Sequence, residues 1–141
     1  MMAPAANSTE PRRILIVDDE ESMLLLLGRI VESLPEVAVT LAGSCDEAVL
    51  KVGSAHYDLI LLDLLMPGIG GLEVLKIVRT SVANRKTPVI IVSVLADSDT
   101  MIVCQSLGIG DYIVKPVVRE TLLASVRKQL AGPQRTSLYG A

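Results

Sequence analysis

The chain repeats one pattern five times: a short continuous apolar run is followed by a segment whose apolar residues have helical spacing. The first run, ILIV at residues 14–17, is rich in β-branched residues and does not alternate with polar ones. Such a run is typical of a strand that is covered on both faces. The other four runs lie at 37–41, 59–62, 89–92 and 112–114. The pattern predicts a mostly parallel sheet with helices on both faces, because right-handed crossovers join parallel strands.

The helical segments separate the strands and return the chain for the next one. Their apolar stripes lie within residues 24–34, 48–52, 72–78, 102–107 and 122–130. The last stripe stops at Gly132 and Pro133, a common helix exit. With 141 residues, the chain has room for one domain of ordinary size. We expect that domain over residues 12–131, a flexible leader at 1–11 and a tail at 132–141.

The fourth helical segment is more apolar than a solvent-facing helix requires. Its spacing predicts that Ile102, Val103 and Leu107 face the core, and it leaves Met101 and Cys104 undecided. The surface around this segment is therefore a candidate for contact with a partner or with a second copy of the chain.

Composition removes several classes of function. The net charge is −3, and the chain has no Phe or Trp and only three Tyr, so electrostatic nucleic-acid binding and stacking of bases are not expected. Cys45 and Cys104 lie far apart, without the grouping of a zinc site or a disulfide framework, and we expect them to be buried. His56 is expected at the surface. No apolar run is long enough to cross a membrane, and we expect a cytoplasmic protein.

Carboxylates gather after the first and third strands. Asp18, Asp19, Glu20 and Glu21 follow strand one, and one or two of them could simply favour a helix N-terminus. Asp63 follows the apolar third strand and needs a partner. Because the carboxyl ends of parallel strands meet at one edge, we expect these groups to lie together.

The fourth and fifth strands add complementary groups at that edge. Ser93 ends strand four, and Lys115 and Pro116 follow strand five. Three carboxylates can hold a hard cation such as Mg²⁺, and the lysine offsets the remaining charge. A phosphoryl group would then meet the cation, the ammonium and the serine hydroxyl. Asp63 is the candidate nucleophile.

These residues make the sequence resemble the receiver domains of two-component response regulators. The motifs are the acidic pair in ILIVDDEE, the acceptor in LILLDLLMPG, the hydroxyl in VIIVS, and the lysine and proline in DYIVKP. The resemblance covers roughly residues 12–131. It implies a flavodoxin-like, doubly wound (βα)5 fold of the α/β class, with a five-stranded parallel sheet in the order 2-1-3-4-5.

The resemblance also implies a role for each residue. Asp19 and Asp63 would ligate Mg²⁺, with Asp18 acting through water and the carbonyl of Leu65 as a further ligand. Asp63 would accept a phosphoryl group from a phosphohistidine on a sensor histidine kinase or a histidine phosphotransfer protein. Lys115 would pair with Asp63 and then with the phosphoryl oxygens.

Two further residues would form the switch. Ser93 would move to bond the phosphoryl group, and Tyr112 would turn inward into the vacated space. Helix four, strand five and helix five would present the altered surface to an effector protein, an output domain or a second copy in a homodimer. The chain is thus expected to be a signalling switch rather than an enzyme.

Some positions depart from the family pattern. Gly70 stands where many members have aspartate, which predicts a more mobile loop. Leu65 and Leu95 are apolar where many members carry polar side chains near the attacking water, which predicts slow loss of the phosphoryl group. Val94 is bulkier than the usual residue, and it would restrict the site or damp the switch.

Three other functions are alternatives to a phosphorylated receiver domain. A haloacid-dehalogenase-like phosphatase needs a second aspartate where Leu65 stands. A flavodoxin-like electron carrier needs a Ser-, Thr- or Gly-rich loop where residues 18–21 are acidic. The third is a pseudo-receiver that works by constitutive contacts without phosphorylation, favoured only by Gly70, Val94 and Leu95.

Overall fold

The computed structural model describes residues 10–132. The expected leader at 1–11 and tail at 132–141 therefore lie almost entirely outside the described residues. Among residues 10–132, no helix combines the length and apolar character needed to span a bilayer.

Within the described residues, five parallel strands form a single sheet. The strands are β1 (Arg12–Val17), β2 (Val37–Ala42), β3 (Leu59–Leu62), β4 (Val89–Ser93) and β5 (Asp111–Val114). Their spatial order is β2-β1-β3-β4-β5, and every neighbouring pair is parallel. Both the strand order and the parallel sheet predicted from the sequence are confirmed.

One helix follows each strand. The helices are α1 (Glu21–Glu32), α2 (Cys45–Ser54), α3 (Gly71–Thr80), α4 (Ser98–Ser106) and α5 (Arg119–Leu130). The α/β class and the doubly wound architecture are therefore also confirmed.

The sheet separates two apolar layers, as the continuous strands require. On one face, β-strand residues such as Leu15 and Ile60 pack with α2 and α3. On the other face, Ile14 and Leu61 pack with α1 and α5. Successive strand residues point to opposite faces, so both faces of the central strands are fully buried.

The prediction for α4 was wrong at two of three positions. Ile102 is 62% exposed and Val103 is 38% exposed, so neither faces the core. Cys104 is fully buried instead, and Leu107 packs against the core as predicted. The helix is turned so that positions 104 and 107, three residues apart, share its inner face. The apolar neighbours 102 and 103 are rotated towards solvent.

Candidate functional site

Four strands deliver polar side chains to the carboxyl edge of the sheet. Asp18 directly follows β1, Asp63 follows β3, Ser93 ends β4 and Lys115 follows β5. All the strands are parallel, so their carboxyl ends meet at one edge. Asp18, Asp63 and Ser93 are buried there, as the sequence pattern predicted.

Lys115 joins the two buried carboxylates. Its Nζ donates to Oδ2 of Asp18 at 2.8 Å and to Oδ2 of Asp63 at 3.0 Å. The three side chains are only 9%, 0% and 6% exposed, respectively. One ammonium therefore faces two buried carboxylates, and the trio carries a net negative charge that favours an additional cation.

The second oxygen of each carboxylate is bound by the local backbone. Asp18 Oδ1 accepts from the N–H of Glu20 at 2.9 Å, and Asp63 Oδ1 accepts from the N–H of Leu65 at 3.0 Å. Both bonds span two residues, as an aspartate at the start of a turn commonly does. These bonds fix the orientation of both carboxylates towards the edge.

Burial is the largest influence on the ionisation of Asp18 and Lys115. It raises the pKa of Asp18, against the hydrogen bonds from Lys115 and from the Glu20 N–H. Burial lowers the pKa of Lys115, but the hydrogen bonds and charges of Asp18 and Asp63 outweigh it and leave that pKa raised. The Lys115 side chain is thus held as a cation at neutral pH.

Asp19 completes a set of three carboxylates. One oxygen from each of Asp18, Asp19 and Asp63 lies within 4.8 Å of the other two. Asp19 is exposed, whereas its two companions are buried. Carboxylate oxygens with an open, solvated side suit Mg²⁺, which prefers oxygen ligands and keeps several waters. The donor set therefore fits the predicted cation.

The acids after β1 divide between this set and the following helix. Glu20 precedes α1 without a capping hydrogen bond from its side chain, and Glu21 lies in the first turn of the helix. The helix-terminus interpretation therefore accounts for Glu21 and leaves Asp18 and Asp19 to the cluster.

Ser93 and Tyr112 are connected through the loop that follows β4. Ser93 Oγ accepts from the N–H of Leu95 at 3.3 Å, and the Tyr112 hydroxyl donates to the carbonyl of Leu95 at 2.7 Å. The Tyr112 ring packs against the core layer on the α2–α3 face. The peptide bond between Lys115 and Pro116 is cis.

The loop after Asp63 depends on a glycine that the sequence reasoning missed. A Cβ on Gly71 would lie 2.1 Å from the backbone oxygen of Asp63 and 2.4 Å from Cα of Leu64. Only glycine lets α3 begin this close to the Asp63–Leu64 segment. The two consecutive glycines of MPGIGG are the signal that could have indicated it. Gly70, singled out from the sequence, has a φ of 86° in open space.

Sequence reasoning also missed the direct contact of Lys115 with Asp18. Three other predictions are confirmed: Cys45 and Cys104 are buried, and His56 lies at the surface. His56 contacts the carbonyl of Ala83 at 2.8 Å, far from the carboxyl edge.

The chain is similar to proteins of one family. A model of the response regulator receiver domain matches residues 14–127. The transcriptional regulatory protein ResD of Bacillus subtilis (strain 168) is 36% identical over 135 residues, which are 96% of this chain and 55% of ResD. The chain thus spans about half the length of this relative.

Solved structures of receiver domains also resemble this chain. A CheY-like response regulator receiver domain protein from Methanospirillum hungatei JF-1 superposes with a TM-score of 0.82 at 26% identity, covering 90% of this chain and 99% of that one. The receiver domain of a Pseudomonas aeruginosa PAO1 sensor histidine kinase, with a magnesium ion in its active-site cleft, gives 0.78 at 25% identity. That match covers 86% of this chain and 99% of the other. The chain therefore belongs to the response regulator receiver domain family of two-component signalling.

Proposed function

We propose that this receiver domain is a phosphorylation switch whose phosphoacceptor is Asp63. The observation that carries the proposal is the arrangement of Asp63 beside Asp18, Asp19 and Lys115 at the carboxyl edge. The Asp63 carboxylate is oriented by the backbone, lies next to the exposed Asp19 and is close to the Lys115 cation. Those are the requirements for a carboxylate nucleophile that receives a phosphoryl group.

Mg²⁺ is the cofactor that this donor set would hold. Its protein ligands would be Asp19, Asp63 and the backbone carbonyl of Leu65, with Asp18 acting through water. When bound, the ion supplies positive charge for the carboxylates and for the phosphoryl oxygens. The magnesium ion described for the P. aeruginosa receiver domain supports this assignment.

The donor would be a phosphohistidine on a sensor histidine kinase or a histidine phosphotransfer protein. An oxygen of Asp63 attacks phosphorus, an O–P bond forms, and the P–N bond to the imidazole breaks. The nitrogen keeps the electron pair and takes a proton, and Asp63 becomes an acyl phosphate. Lys115 then exchanges its contact with Asp63 for the new phosphoryl oxygens, which carry more negative charge.

Ser93 and Tyr112 would convert this event into a change of surface. When the Ser93 hydroxyl turns to a phosphoryl oxygen, the N–H of Leu95 loses its acceptor. The Leu95 carbonyl is the acceptor of the Tyr112 hydroxyl, so a shift of this loop releases the tyrosine as well. Tyr112 then occupies the space that the Ser93 loop leaves.

The altered surface would be formed by α4, β5 and α5. It exposes apolar side chains that a partner can cover: Ile102, Val103, Val114 and Val118. The occupant is an effector protein, an output domain or a second copy in a homodimer. The length of ResD, a transcriptional regulatory protein, supports an output domain as one of these choices.

The test is intact mass spectrometry after incubation with Mg²⁺ and acetyl phosphate. We expect one phosphoryl adduct on the wild type, none on Asp63→Asn, and none when the metal is chelated. Asp46→Asn, which changes an exposed carboxylate in the first turn of α2, is the matched control and should react like the wild type. A wild type that neither forms an adduct nor binds Mg²⁺ would instead identify a phosphorylation-independent pseudo-receiver.

A further inference from the structure

Helix α4 is attached to the molecule differently from α3. Among residues 98–106, α4 buries only Cys104, whereas Ile102 is 62% exposed. The neighbouring α3 buries four residues: Gly71, Val74, Leu75 and Val78. A helix with one buried side chain gains little from apolar burial. Besides the core contacts of Cys104 and Leu107, its position therefore depends on the polar contacts at its two ends.

The amino-terminal end of α4 is connected to the phosphoacceptor edge. Asp97 caps the helix, because its Oδ2 accepts from the N–H of Thr100 at 3.0 Å and from the Thr100 hydroxyl at 2.7 Å. Asp97 ends the short loop that begins at Ser93, and Leu95 in that loop bonds both Ser93 and Tyr112. A shift of Ser93 would thus reach this end of the helix directly.

The carboxyl-terminal end of α4 is held by a side chain from another helix. Arg79, in the last turn of α3, donates from Nε to the carbonyl of Leu107 and from Nη2 to the carbonyl of Gly108, both at 2.7 Å. Its Nη1 donates to the carbonyls of Thr87 at 2.8 Å and of Arg85 at 3.3 Å. One guanidinium therefore ties the exit of α4 to the segment that enters β4.

This geometry needs an arginine. The guanidinium is planar and carries five N–H donors in a rigid fork, so it can bond carbonyls from two segments at once. A lysine keeps the positive charge that suits a helix C-terminus, but its single nitrogen cannot reach all four acceptors. Burial also lowers the pKa of Arg79, although the group stays protonated.

We propose that Arg79 is the pivot of α4: it holds the carboxyl-terminal end of the helix against the start of β4 while the amino-terminal end moves with the Ser93 loop. The moving end rests on the proposed phosphorylation function. The proposal that the carboxyl-terminal end is held does not depend on phosphorylation, because it is argued from the four hydrogen bonds of Arg79.

Hydrogen exchange of the full chain, followed by mass spectrometry, tests the held end without any ligand. Arg79→Met should speed exchange of the amides at 104–110 by about tenfold, because the carbonyls of Leu107 and Gly108 lose their donors. Arg79→Lys should fall between this variant and the wild type. Arg29→Met, an exposed arginine in the last turn of α1, is the matched control and should leave 104–110 unchanged.

Unchanged exchange at 104–110 in both Arg79 variants would overturn the proposal. If Arg79→Met exchanges faster throughout the chain, Arg79→Lys becomes the deciding variant. Faster exchange confined to 104–110 in that variant supports the held end, and exchange like the wild type overturns it.

A second series adds Mg²⁺ and beryllofluoride, a mimic of the phosphoryl group, to the wild type and to Arg79→Met. In the wild type we expect beryllofluoride to change the exchange rate of the amides at 94–101 and to leave the rate at 104–110 unchanged. In Arg79→Met the exchange rate should change in both segments. A wild type in which both segments respond together overturns the pivot. If beryllofluoride alters nothing in the wild type and acetyl phosphate leaves no adduct, the proposed function fails, and the ligand-free series still decides the held end.

Discussion

The two edges of the sheet bury polar side chains in opposite ways. At the carboxyl edge, Asp18, Asp63 and Lys115 are buried as a charged group that is open to further ligands. At the amino edge, Asn84 and Thr87 are equally buried but neutral. Their side chains bond each other and the backbone around them.

At the amino edge, the side chains of Asn84 and Thr87 use nearly all of their hydrogen-bonding capacity. Asn84 Nδ2 donates to the carbonyls of Val52 and Ala55 at 2.7 and 2.8 Å, and Oδ1 accepts from the N–H of Tyr57 at 2.8 Å. Thr87 Oγ1 donates to the carbonyl of Tyr57 at 2.9 Å. A neutral group whose partners are all internal has no capacity left for a ligand.

The difference shows what distinguishes the candidate functional cluster from a structural one within a single sheet. Burial alone does not distinguish them, because both edges bury their side chains. Uncompensated charge distinguishes them, since two carboxylates share one ammonium at the carboxyl edge.

The largest expected effect is the loss of chemistry in Asp63→Asn. The acyl phosphate cannot form on an amide, so we expect no adduct with acetyl phosphate. The free energy of unfolding in urea should not fall, because the change removes one of two carboxylates that share the Lys115 ammonium. A large loss of stability would show that the charged cluster holds the fold together and would remove the contrast between the edges.

Asn84→Ala at the amino edge should have the opposite effect: it should lower stability and leave the chemistry intact. It leaves the N–H of Tyr57 and the carbonyl of Ala55 without their side-chain partner, and the carbonyl of Val52 keeps only the Ser81 hydroxyl. We expect the free energy of unfolding to fall by about 2–4 kcal/mol, measured by urea denaturation. The phosphoryl adduct should still form at a temperature where the variant is folded. An abolished adduct on a folded variant would contradict the separation of roles.

Leu65→Asn sharpens the description of the carboxyl edge. Leu65 is 56% exposed and lies two residues after Asp63, and Leu95 is half-buried two residues after Ser93. An apolar rim holds the attacking water poorly, so the wild-type phosphoryl group should persist, and asparagine should shorten its lifetime several-fold. The measurement is the decay of the adduct by intact mass after removal of the donor. A wild-type lifetime of seconds would contradict slow loss, and Leu50→Asn, far from the site on α2, is the control.

Replacing Asp97 should have the smallest effect, because this carboxylate near the carboxyl edge is a helix cap. Hydrogen bonds from the Thr100 hydroxyl and N–H hold the pKa of Asp97 below its usual value. A lowered pKa in the folded state means that the stabilisation is present above the unfolded pKa of 3.8 and is lost as the pH falls through the folded pKa. The difference in Tm between the wild type and Asp97→Ala should therefore be present at pH 6 and shrink below about pH 4. A difference that is constant over this range would contradict the assignment.

The residues of the carboxyl edge can be predicted from the sequence, whereas those of the amino edge cannot. Asp18, Asp63, Ser93 and Lys115 each stand at the end of a continuous apolar run. In a parallel sheet that position is enough to predict one shared edge. The Asn84 network could not be predicted in this way, because most of its partners are backbone groups that belong to no motif.

The amino-acid sequence alone is enough to predict the five strands, the parallel sheet and the groups that meet at its carboxyl edge. These features follow from local patterns, because a strand covered on both faces must be apolar at every position. Motifs that lie beside those strands also predict which residues would carry a metal or a phosphoryl group.

Only the tertiary structure decided how these parts contact one another. The pairing of Lys115 with Asp18 joins residues 97 positions apart, and the close approach of Gly71 to Asp63 depends on where α3 begins. The outward turn of Ile102 and Val103 was likewise hidden, because the apolar residues of α4 lie on more than one face. The face that such a helix buries is set by its contacts at Cys104, Leu107 and Arg79, and those contacts exist only once the sheet and its neighbouring helices have packed.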